Sequence, residues 1–194
     1  MRKNKPVEAI LEAAASVQRD FGENFVQEVL QKIEKCGRYD RVWHFIGHLQ
    51  SNKTRLVAEH FDWIHTVDRL KIARRLSDQR PSHAPPLNVC IEVNVDAEAS
   101  KSGVSPEALP ALAGDVAALP RLKLRGLMCL PAIREGFDAQ RRPFAALREL
   151  LESLNEEGMA LDTLSMGMSA DYAAAILEGA TIVRVGREFF GARE

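Results

Sequence analysis

Long apolar runs are missing from this chain of 194 residues. None approaches the roughly 20 residues that a membrane-spanning helix needs, which excludes a transmembrane segment. Cysteine is scarce: Cys36, Cys90 and Cys129 are odd in number and far apart, with no C-x-x-C pair. That argues against a disulfide scaffold and a cysteine-based metal site, and for reduced thiols. Net charge is close to nil, at -1, so no bulk field draws the molecule to nucleic acid or membrane. No apolar h-region follows the basic start Met1 to Pro6, so the expectation is a cytoplasmic protein without a secretory leader. No G-x-G-x-x-G follows a first strand, which weakens a dinucleotide-binding reading. Internal repeats and low-complexity tracts are absent as well, and residues 1–194 read as one domain. What is present is 46% hydrophobic and 27% charged residues, enough for a soluble domain with a sizeable core.

Helical and extended segments alternate along almost the whole chain. Helices are predicted over 6–16, 23–36, 51–60, 69–79, 105–118, 137–157 and 169–177, with Asp68 capping the fourth. Strands are predicted over 19–21, 43–46, 63–67, 87–95, 122–130, 161–166 and 181–185. Such alternation means a parallel sheet, either doubly wound or closed as a (β/α)8 TIM-type barrel. A barrel needs eight strands and typically about 250 residues. The count here is one strand short, and the deficit falls before the helix that Pro6 opens.

The densest chemistry lies late in the chain, in S-M-G-M-S (Ser165 to Ser169) and V-R-V-G-R (Val183 to Arg187). Small and hydroxyl residues past a strand, opening a helix, offer a phosphate free N–H groups and close main-chain approach. Two such turns on the last two strands match the phosphate grip that barrels build there. The plainer alternative is a turn and an N-cap. Arg184 sits in an apolar strand, where a charge is costly unless partnered. It reads either as a ligand contact at the barrel mouth or as half of an internal ion pair with Glu or Asp. His44 and His48 straddle Gly47 and share no helical face, which speaks against a zinc pair. Lys71, Arg74, Arg75 and Arg80 read as an exposed basic face, without the interleaved aromatics of a nucleic-acid platform. Met128, Met166 and Met168 read as core filler.

Seven runs occur in a fixed order: R-K-N-K-P (Arg2 to Pro6), F-G-E-N-F-V-Q-E (Phe21 to Glu28), W-H-F-I-G-H-L-Q-S-N-K (Trp43 to Lys53), S-K-S-G (Ser100 to Gly103), R-G-L-M (Arg125 to Met128), L-S-M-G-M-S (Leu164 to Ser169) and V-R-V-G-R-E-F-F-G-A-R (Val183 to Arg193). Together they resemble the YggS/PROSC family of pyridoxal phosphate homeostasis proteins, over essentially the whole chain. The resemblance implies a barrel like the N-terminal domain of alanine racemase, with pyridoxal 5′-phosphate (PLP) carried as a lysine Schiff base. By position, Lys3 matches the Schiff-base lysine and Asn24 an asparagine beside the cofactor. Ser165, Gly167, Ser169, Gly186 and Arg187 fall in the phosphate-gripping segments, and Arg184 matches the arginine facing the pyridine nitrogen. Arg187 stands where the family commonly has Ser or Thr, and the chain lacks the family's usual first helix and most of its first strand.

Racemisation through PLP needs a base on each face of the substrate. The racemase takes its second base, a tyrosine, from a further domain with no counterpart before Glu194. Tyr39 reads as distal, which leaves Tyr172 as the candidate. The resemblance therefore implies a non-catalytic PLP carrier that serves apo PLP-dependent enzymes, a monomer or weak dimer with no nucleic-acid or membrane partner. The alternative is a single-domain PLP-dependent amino-acid racemase. A phosphosugar-type barrel that never touches PLP is a third reading.

Overall fold

The computed structural model describes residues 18–36, 41–98 and 101–186. Among them, parallel strands β1 (Asp20–Glu23), β2 (Val42–Phe45), β3 (Trp63–Val67), β4 (Leu87–Glu92), β5 (Leu122–Met128), β6 (Thr163–Met168) and β7 (Ile182–Arg184) lie side by side in chain order. Helices α1 (Val26–Cys36), α2 (Thr54–His60), α3 (Leu70–Gln79), α4 (Leu109–Ala117), α5 (Phe137–Glu156) and α6 (Tyr172–Leu177) fill the connections. Parallel neighbours need long crossovers, and a helix supplies each one. The sheet curls strongly. His65 on β3 and Ser165 on β6 are 2.7 Å apart although β4 and β5 lie between them. This is the expected TIM-type barrel, nearly closed. No helix among the described residues is long and apolar enough to cross a membrane.

Period-two alternation sorts the strand residues onto two faces. Trp43, Phe45, Ile64, Val89 and Ile91 point outward into an apolar layer with Val57, Ile72, Leu76, Leu112 and Phe144 from the helices. Phe45 meets Phe61 edge-on at 5.4 Å between centroids, a favoured aromatic geometry. Inward positions alternate with these and carry His44, His65, Cys90, Glu92, Ser165 and Arg184, all buried.

Several local expectations are corrected. Helix α1 begins at Val26 and not at Glu23, because Gly22 and Glu23 pair with His44 and Phe45 in the sheet. Asp68 does not cap α3: Arg69 is the N-cap residue, and the Asp68 carboxylate accepts from its guanidinium at 2.6 and 2.8 Å. The segment Ser165 to Met168 is strand and not turn, since Ser165 and Met168 pair with Ile182 and Arg184. Helix α6 accordingly starts at Tyr172 and not at Ser169. Arg80 is no surface charge: it is 2% exposed and donates to the carbonyls of Ala58, Phe61 and Pro85. Its cation satisfies carbonyls left open where α2 ends. Met128 and Met166 are core residues as expected, whereas Met168 is exposed at the end of β6. Cys90 and Cys129 are free and buried, and burial pushes both thiols up to about 12, so they are unreactive at neutral pH. The helix predicted over 6–16 lies outside the described residues.

Candidate functional site

Arg184 ends β7 inside the barrel and is 7% exposed. Its Nη1 donates to the carbonyl oxygen and to Oγ of Ser165, both at 2.7 Å, and Nη2 donates to the carbonyl of Cys129 at 2.9 Å. Among the described residues it makes no ion pair with Glu or Asp within salt-bridge distance; its partners there are the Ser165 hydroxyl and two carbonyls. Burial lowers its pKa, yet a guanidinium stays charged in proteins. Nε and one N–H of Nη2 remain without a partner among the described residues. A fixed cation with open donors fits an acceptor lone pair brought by a ligand, such as an aromatic ring nitrogen.

Ser165 links Arg184 to a longer chain of hydrogen bonds. Its Oγ lies 2.7 Å from His65 Nδ1. His65 Nε2 lies 2.9 Å from His44 Nδ1, and His44 Nε2 lies 2.9 Å from Asp20 Oδ1. The hydrogen bond from His44 keeps Asp20 below the usual carboxylate range, so it accepts. Burial holds His65 neutral, with its pKa well below the ordinary imidazole value. Arg184 donates to Ser165 at one end and His44 donates to the Asp20 carboxylate at the other, with His65 joining them. Five strands thereby contribute to one polarised line that orients the guanidinium. His44 is also stacked on Trp63 at 5.5 Å, which fixes its ring.

The two late segments meet at the same end of the barrel. Gly186 N donates to Ser169 Oγ at 3.4 Å, and Met168 N donates to Asp171 Oδ1 at 2.7 Å. Gly167 has φ +92, and a Cβ there would lie 2.6 Å from Ala175 Cβ and 3.2 Å from the Tyr172 Cα. Only glycine permits both that backbone and the seating of α6 on the strand end. Glycine-bearing main chain and the Ser169 hydroxyl suit a phosphate ester. Asn24 follows β1 at the other edge of the sheet and is exposed, so its side chain is accessible. Its backbone presses on Gly47, where a Cβ would sit 2.3 Å from the Asn24 oxygen. Tyr172 is 37% exposed at the start of α6.

The structure thus brings together Ser165, Gly167, Ser169, Arg184 and Gly186. Lys3, Lys5, Tyr39 and Arg187 lie outside the described residues. Sequence reasoning missed Asp20, His65 and Glu92, and weighed His44 only as a metal ligand. The available signal was a polar residue at the inward position of a strand buried on both faces.

A parallel barrel with an interior arginine and a glycine-lined grip on its last two strands defines a class of phosphate-cofactor barrels. The chain matches the family described as alanine racemase, N-terminal domain, over residues 3–194. It is 59% identical over 192 residues to the pyridoxal phosphate homeostasis protein of Pseudomonas aeruginosa, covering 99% of this chain and 82% of that one. With the Escherichia coli K12 protein of the same description it shares 52% over 195 residues, covering 99% and 83%. PipY of Synechococcus elongatus superposes with a TM-score of 0.90 at 38% identity, covering 97% of this chain and 89% of that one. A second PipY structure holds PLP and gives 0.88 at 37% identity, with the same coverage. Alanine racemase of Corynebacterium glutamicum shares the fold, with a TM-score of 0.68 at 17% identity over 89% of this chain and 48% of that one. This chain belongs to the alanine racemase N-terminal domain family, in its branch of pyridoxal phosphate homeostasis proteins.

Proposed function

We propose that residues 1–194 form one PLP-binding barrel domain that carries the cofactor in vitamin B6 homeostasis without robust turnover. The observation that carries this reading is Arg184, fixed by Ser165 and Cys129, with donors left open among the described residues, on the strand that leads to Gly186. PLP, when bound, supplies an aldehyde that an amine can attack and a pyridine ring that can take up negative charge. Arg184 is assigned to the ring nitrogen. Because the guanidinium keeps its proton, it favours an unprotonated nitrogen and a weak electron sink. That suits storage better than catalysis. Ser169 and the backbone at Gly167 and Gly186 are assigned to the phosphate, with Arg187 as a further cation. Ser165 acts through Arg184, and Asn24 contacts the cofactor from the β1 side.

Lys3 is assigned as the attaching amine. Its ordinary pKa is about 10.4, and only the neutral amine attacks an aldehyde, so nearby positive charge such as Lys5 assists. Tyr172 is not assigned as a second base. The recipients are apo PLP-dependent enzymes, and the protein works in the cytoplasm as a monomer or weak dimer. The test is a spectral titration of purified protein with PLP, beside the Lys3→Ala variant. A saturable visible band is expected in the parent and not in the variant. An alanine chiral assay should show no turnover; turnover that Lys3→Ala abolishes would overturn the carrier reading.

A further inference from the structure

A cavity of about 270 Å³ opens at the C-terminal ends of β2 to β5. Its lining includes Ile46, His48, Thr66, Glu92, Asn94 and Lys101. Glu92, the last residue of β4, is 6% exposed. No hydrogen bond or ion pair engages its carboxylate among the described residues. A buried carboxylate left without a partner is expensive. The cation beside it is already committed: Lys101 Nζ lies 3.3 Å from Glu98 and 3.8 Å from Asp96, and donates to the Leu130 carbonyl. The Asn94 side chain is closed onto the Glu98 backbone. Thr66 Oγ1 gives its proton to the Gly47 carbonyl at 2.7 Å, and no donor among the described residues engages its lone pairs.

We propose that this cavity is a subsite for a primary ammonium group, held by the Glu92 carboxylate with Thr66 Oγ1 as second acceptor. Resting on the function proposed above, it receives the co-reactant of a carried aldehyde, which is an amine. Such an amine arrives protonated and is nucleophilic only when neutral. Glu92 takes the proton: R–NH3+ and carboxylate become R–NH2 and carboxylic acid, with atoms and charge conserved. The environment makes that exchange less uphill than it is for an ordinary carboxylate, the ammonium's own pKa being about 10.4. Burial first and the Asp68 charge second push the Glu92 carboxyl up to about 7, against the pull of Arg184. Among the described residues, Asp68 past β3, Arg184 on β7, His48 past β2, and Asp96 and Lys101 past β4 are the charged and titratable groups around it. Because the ammonium requires the carboxylate, its occupancy falls as pH drops through about 7.

The test uses the full chain without PLP at about pH 8, where a Glu92 carboxyl with its midpoint near 7 is mostly ionised. n-Butylamine, L-alanine and n-butanol are titrated while backbone amides and glutamate carboxyl carbons are followed by NMR. n-Butylamine should shift Thr66 and Asn94 saturably, and n-butanol should not. Glu92→Gln should weaken n-butylamine at least tenfold, and Glu98→Gln should leave it unchanged. In the parent protein the amine should also lower the titration midpoint of Glu92, a readout that needs no variant. Equal saturation by L-alanine assigns the site to free amino acids; n-butylamine alone assigns it to lysine-type side chains. Shifts that do not saturate, that n-butanol reproduces, or that survive Glu92→Gln overturn the proposal. PLP uptake is scored separately. Uptake without amine saturation removes the subsite alone, and amine saturation without uptake removes the carrier function alone.

Discussion

The two faces of this sheet are equally buried and chemically opposite. On β4, Ile91 is 0% exposed and packs outward among apolar side chains, while Glu92, the next residue, is 6% exposed and faces the cavity without a partner among the described residues. On β2, Trp43 and Phe45 enclose His44 in the same way. The outer face binds helices to strands through non-directional burial. The inner face holds groups that tolerate burial only in specific arrangements, because each polar atom needs a partner. The outer face thus accounts for the existence of the barrel and the inner face for its chemistry. Substitutions on the two faces should separate stability from ligand binding.

The largest effect is expected outside. Trp43→Ala removes a fully buried ring from the layer it shares with Phe21, and chemical denaturation should register a loss of about 3–5 kcal/mol. Next comes Glu92→Gln, on the inner face. The folded protein holds the Glu92 proton up to about 7 against an ordinary value of 4.5. Native stability therefore declines as pH rises through that window, and glutamine removes the decline. Thermal unfolding should find the variant indistinguishable from the parent below pH 4.5 and more stable above pH 7, by on the order of 2–3 kcal/mol. Equal pH dependence in both proteins would contradict the burial account of Glu92.

Arg184→Gln should act on binding more than on folding. PLP affinity, read from the visible band, should fall about tenfold or more, equivalent to about 1.4 kcal/mol. Removing a buried cation also removes its desolvation penalty, so the stability change should be smaller than that for Trp43→Ala. The smallest effect is expected for Ser165→Ala, at about 1 kcal/mol. Nitrogen NMR of the imidazoles should then show His65 Nδ1 without its Ser165 partner while the His65–His44 contact persists. A shift confined to position 165, with His65 unchanged, would break the proposed line of hydrogen bonds.

Much of the outer face was legible in sequence. Alternating strand and helix patterns gave the strand number and the parallel order, because apolar periodicity reports burial against helices directly. Arg184 and the late glycines were legible too, since a charge in an apolar strand and small residues at its end are locally conspicuous. The rest required contacts far apart along the chain. His44 and His48 are neighbours in sequence, yet His44 pairs with His65 and Asp20 instead. Ser165 reads as a turn hydroxyl until β6 is seen to reach His65 across the barrel. Arg80 looks like part of a basic surface, but its guanidinium folds back on the end of α2. In each case partner choice is set by sheet curvature or helix termination, which local composition does not encode.

The most direct measurement of the central claim is covalent. Full-length protein is saturated with PLP, reduced with borohydride, digested and mapped by mass spectrometry. The account predicts a single reduced pyridoxyl adduct on Lys3, lost in Lys3→Ala and diminished in Arg184→Gln. Label distributed over surface lysines, or no label in a folded sample with excess cofactor, would contradict it.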